Sequence, residues 1–134
     1  MKPDRLSVFA KSAVAVRTIR WFVAIRLQLR RRTLPEVVGD LGLVGRVRTP
    51  RRRPARLGRI VGRVLRIGPW RARCLYTSMV LYRLLREQGD DVQLVIGLPL
   101  EPKDKGAHAW VEFDGNDVGP PPGRGGHVEL VRYG

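Results

Sequence analysis

The chain has 134 residues, 43% of them hydrophobic, which suffices for one modest core and is too little for two independent catalytic domains. Its net charge of +14 is uneven: residues 1–73 carry 20 Lys or Arg against 3 acids, a balance of +17, whereas residues 74–134 carry 6 against 9, a balance of −3. The single cysteine excludes an internal disulfide. No segment has the charged start, unbroken apolar run and small-residue cleavage site of a signal peptide, so a reducing cytoplasm is the expected compartment. The longest apolar run near the N-terminus, Trp21 to Ile25, is far short of a membrane span.

Taken in chain order, Val16, Ile19, Phe22, Val23 and Leu27 recur at three- and four-residue spacing and predict a basic amphipathic helix over Ser12–Arg32. Residues 33–53 hold Pro35, Gly39, Gly42, Gly45 and Pro50 and end in Arg51, Arg52 and Arg53, which reads as a loop with one short helical turn. A second basic helix follows, with Leu57, Ile60, Val61, Val64 and Leu65 as its apolar stripe, closed by Gly68 and Pro69. The domain reading is a basic helical region over 1–53 and a core over 54–134, within one compact unit.

After Pro69 the pattern changes. RCLYTSMVLYRLLREQG predicts a helix of about four turns stopped by Gly89. Asp91–Leu98 and Ala107–Phe113 then alternate with period two and predict strands. Asp114 and Gly115 signal a hairpin turn, with Val118 opening a third strand. GPPPGRGG cannot be an interior strand, because consecutive prolines remove ladder donors, and HVELVRY reads as a short edge strand.

On the Cys74 helix, Thr77, Ser78, Leu81, Leu85 and Gln88 fall within about 60° of the cysteine, so this face turns inward. At a helix N-terminus the unpaired amides and the dipole favour a thiolate and can donate to an oxyanion. A lone cysteine is also the behaviour of a small core hydrophobe, and position alone does not separate the two. On the following strand His108, Trp110 and Glu112 share one face. An imidazole in reach of the thiol could take its proton and return it to a leaving amine, although a half-buried histidine bonded to backbone fits the position equally well.

The stretches PWRARCLYTSMVLYRLLREQG, VQLVIGL and AHAWVEFDG, in that order, resemble the leader peptidases of lasso-peptide biosynthesis, members of the transglutaminase-like cysteine peptidase superfamily. The resemblance runs from about Pro54 to Val118; the arginine-rich front is similar in composition and length alone. It implies an α+β fold with a transglutaminase-like, papain-like core, in which a Cys-bearing helix packs on a small antiparallel sheet preceded by basic helices. It also implies a Cys-His-Asp triad without metal or cofactor, acting on the leader of a lasso precursor peptide. A separate leader-recognition protein would present that leader, and an ATP-dependent lasso cyclase would act next. Cys74 and His108 match the family pattern. The family's acid, about a dozen residues after the histidine, falls here on Gly119 and Pro120. Asp117 is taken as the orienting acid, with Asn116, Glu129 or a backbone carbonyl as alternatives. A plain hairpin leaves Asp117 roughly 20 Å of strand from His108, and a bulge would bring it nearer.

One cysteine and two histidines without clustered carboxylates do not make a zinc site, and no phosphate-binding glycine motif is present. His127 lies in a glycine-rich tail and reads as solvated, and Trp110 as packing or roofing. The basic front would also suit a nucleic-acid backbone, but it has few aromatics for stacking and leaves the neutral back unexplained. Trp21 and Phe22 beside arginines would suit contact with a membrane surface.

Overall fold

The computed structural model describes residues 5–43, 53–67, 74–99, 108–119 and 127–134. Four helices precede four strands: α1 (Arg5–Gln28), α2 (Leu34–Gly42), α3 (Pro54–Ile67), α4 (Cys74–Glu87), β1 (Val92–Pro99), β2 (His108–Phe113), β3 (Asn116–Gly119) and β4 (His127–Tyr133). The strands form one antiparallel sheet in the order β3-β2-β1-β4. HVELVRY is an edge strand, as its sequence predicts.

α4 packs against α1, α2, α3, β1 and β2. That central position explains why Met79, Val80, Leu81, Tyr82, Leu84 and Leu85 are all buried, leaving no clean amphipathic stripe. The sheet answers with Val92, Leu94 and Val111 on the face that joins this core. At its end the Asp90 amide donates to the Leu85 carbonyl at 3.0 Å while Gly89 takes φ +94°, the left-handed closure its sequence signals. Between β2 and β3, Asp114 and Gly115 both have positive φ, 54° and 78°, so the predicted turn is the two-residue type whose twist matches its flanking strands.

The N-terminal helices differ from their sequence reading. The described α1 covers Arg5–Gln28, so it already includes residues before Ser12 and stops short of Arg32. It turns Val14, Thr18, Phe22 and Ile25 inward and leaves Val16, Val23 and Leu27 exposed. Apolar residues lie around most of this helix, so its spacing fits two faces. Contacts from α4 decide between them: Arg17 pairs with Glu87, and the Arg83 guanidinium lies 4.5 Å over the Trp21 ring.

Residues 34–42 are a nine-residue helix where a loop with one turn was expected. Its start is set by Thr33 and Glu36: the threonine hydroxyl donates to the carboxylate at 2.7 Å and the Thr33 amide donates at 3.4 Å. These bonds hold the Glu36 carboxyl below its usual range, the side-chain bond contributing most. Pro35 is tolerated because it lies in the first turn, and Val37, Val38 and Leu41 bury the helix. Its last carbonyls are answered from α4, where Arg83 donates to Leu41 at 3.2 Å and to Leu43 at 3.3 Å, and Arg86 donates to Gly42 at 3.1 Å. α3 follows its predicted stripe, with Leu57, Val61 and Leu65 buried. α1, α2, α3, α4 and the sheet thus contribute to one core.

Candidate active site

Cys74 is the first described residue of α4 and His108 the first described residue of β2. The Cys74 side chain lies outside the described residues. His108 is half-buried. One turn along the helix, the fully buried Ser78 donates its hydroxyl to the Ala109 carbonyl at 2.8 Å. Ser78 lies four positions after the cysteine, on the same helix face, and Ala109 directly follows the histidine. The bond therefore ties the leading end of α4 to the leading end of β2 through the backbone, while the His108 side chain shares the face of Trp110 and Glu112, opposite the Val111 face that joins the α4 core. β3 pairs with β2 only from Phe113 back to Val111, so among the described pairs no β3 residue opposes His108 or Ala109.

The sheet register sets what else shares the histidine's face. His108 pairs with Gly97 on β1, and Gly97 pairs with Glu129 on β4, so one row crosses three strands with no side chain at its centre. At strand spacing, the outer two residues are about 10 Å apart at Cα, within the combined reach of a glutamate, a histidine and a hydrogen bond. Glu129 is also held by Arg132, whose Nε donates to Oε1 at 2.7 Å. Farther along this face the Trp110 indole donates to the buried Glu112 carboxylate at 2.8 Å, and Arg132 donates to that carboxylate's other oxygen at 3.0 Å and also to Gln93. Hydrogen bonding to Glu112, and then to Glu129, raises the Arg132 pKa. The tryptophan two residues after His108 is thereby fixed at its polar end.

Asp117 is placed differently. It pairs with Glu112, four residues along β2 from His108, about 13 Å of strand. A register shift does occur between Val111 and Glu112. It does not carry Asp117 to the histidine's end of the strand. Instead Oδ1 accepts the Gly119 amide at 2.9 Å, and Oδ2 is buried with no hydrogen-bond partner among the described residues. The expected pairing of Asp117 with His108 is not what this register produces. His127 opens β4 opposite Pro99, and its side chain lies outside the described residues. No group of three or more His, Cys, Asp or Glu among the described residues is arranged to hold a metal ion.

The helical spacing places Ser78 on the inward face with Cys74, and that spacing alone does not identify its bond to Ala109. The available signal was a hydroxyl on the buried side of an apolar helix, which must find a partner.

The family model described as the transglutaminase-like superfamily matches residues 15–130, from the first half of α1 into β4. The chain belongs to the transglutaminase-like superfamily. Its α+β architecture, with helices packed on an antiparallel sheet, is that expected of the family. No curated protein and no solved structure gives a significant match. The match begins at residue 15 and covers described helices on both sides of residue 53.

Proposed function

We propose that this transglutaminase-like protein is a cysteine endopeptidase that removes the leader from a ribosomally made lasso-peptide precursor in a reducing cytoplasm. The observation that carries the reading is the Ser78–Ala109 hydrogen bond, because it joins the helix opened by Cys74 to the strand opened by His108. Family membership supports it.

In the proposed reaction His108 takes the Cys74 thiol proton, and the thiolate attacks the carbonyl carbon at the end of the leader. The oxyanion is met by backbone amides at the start of α4. His108 then protonates the departing amine, which frees the core peptide with a new N-terminus and leaves the leader as a thioester. A water gives a proton to His108 and attacks that thioester, releasing the leader as a carboxylic acid and restoring the thiol. For orientation of the imidazole we favour Glu129, which shares the Gly97 row, over Asp117, whose carboxylate braces the end of β3. A separate leader-recognition protein presents the leader, and an ATP-dependent lasso cyclase uses the freed N-terminus.

The test incubates purified protein with a precursor peptide, with and without the recognition protein, and reads the products by mass spectrometry. One hydrolytic cut at the leader-core boundary, absent in Cys74→Ala, supports the reading. An intact precursor in the presence of both proteins contradicts it.

A further inference from the structure

The outward face of α1 carries an unburied stripe. Val16 is 57% exposed, Val23 44% and Leu27 55%. With the exposed Arg20 they fall within an arc of about 60°, opposite the buried Val14–Thr18–Phe22–Ile25 face. Arg26 flanks the stripe and Arg30 follows the helix end, both exposed. From Arg5 to Gln28 the helix contains no Asp or Glu. No described helix is long and apolar enough to cross a membrane.

We propose that this stripe seats the protein on the surface of an anionic lipid bilayer, with α1 lying in the plane of the headgroups. The three aliphatic side chains would enter the acyl boundary, while the long arginine side chains reach back to lipid phosphates. Charge complementarity favours an anionic surface. Area favours a bilayer over a folded protein partner. Val16 to Leu27 spans about 16 Å of a helix roughly 10 Å wide, a patch several-fold smaller than the ~800 Å² per partner of a stable protein interface. A fluid bilayer can close around such a ridge without a matching groove.

The test is flotation of the full-length protein with vesicles of pure phosphatidylcholine and with vesicles containing about 30 mol % phosphatidylglycerol. Wild type should float with the anionic vesicles and not with the neutral ones. Val16→Ser, Val23→Ser and Leu27→Ser combined should lower the bound fraction by about fivefold or more at unchanged circular dichroism. If that variant fails to fold, Arg20→Gln with Arg26→Gln must produce a loss of anionic binding. The proposal is overturned if wild type stays unbound, binds both vesicles equally, or keeps its binding in a folded triple variant. It is also overturned if the arginine variant, read in place of a misfolded triple, binds as wild type does. Leader cleavage plays no part in these readings, so the proposal stands or falls apart from the peptidase assignment.

Discussion

Ser78 donates its hydroxyl to the carbonyl of Ala109 at 2.8 Å, from a fully buried position on α4 to the second residue of β2. Removing the donor leaves a buried carbonyl short of a partner, a defect that costs about 1–3 kcal/mol. Ser78→Ala should therefore lower stability to denaturant by that amount. If the bond also sets the cysteine against the histidine, kcat should fall by about tenfold with KM little changed. Lost stability at unchanged kcat would make the bond a packing element alone.

Gly58 on α3 has no room for a side chain, since a Cβ would run into the Val118 carbonyl oxygen of β3. Gly58→Ala gains about 1 kcal/mol in helix propensity, but the clash with backbone should outweigh it. The expected outcome is a melting temperature lower by about 5 °C or more. A more stable variant would show that α3 and β3 are not in this close register.

The orientation of His108 separates Glu129 from Asp117. Glu129→Gln should lower kcat by about tenfold or more, on the order of 1.4 kcal/mol, with KM nearly unchanged. Asp117→Asn should change kcat by less than about threefold, because its Oδ1 bond to Gly119 can survive the substitution. The reverse pattern would restore Asp117 as the orienting acid.

Tyr82 is buried on α4, and burial pushes its hydroxyl pKa above the ordinary tyrosine range, with Arg86 opposing and Asp91 adding to the shift. A folded-state pKa raised in this way contributes stability that is complete below the unfolded value. That contribution is lost as pH rises through the folded one. Wild type should therefore lose stability in denaturant titrations above about pH 10, and Tyr82→Phe should lose less over the same interval. Parallel curves would remove Tyr82 as the source.

Much of the back half was legible because its signals are local. Gly89 closes α4, Asp114 and Gly115 make the β2–β3 turn, and period two marks β1 and β2. The front was less legible for different reasons. α2 was hidden by Gly39 and Gly42, although Thr33 and Glu36 formed its start signal. The buried face of α1 depends on Arg83 and Glu87, more than fifty residues away, which no local spacing contains. Cys74 and His108 could be read as candidates from their residue types and flanking patterns. The Gly97 row could not, because it depends on β4 pairing with β1 across an unpredictable bulge between Ile96 and Gly97.

The most direct measurement of the central claim is cleavage of a lasso precursor by wild type and Cys74→Ala at equal concentration, with the recognition protein present and folding of both checked by circular dichroism. The account predicts a single cut at the leader-core boundary by wild type and a rate at least about a thousandfold lower for Cys74→Ala. Cleavage by the variant at more than a few per cent of the wild-type rate would contradict it.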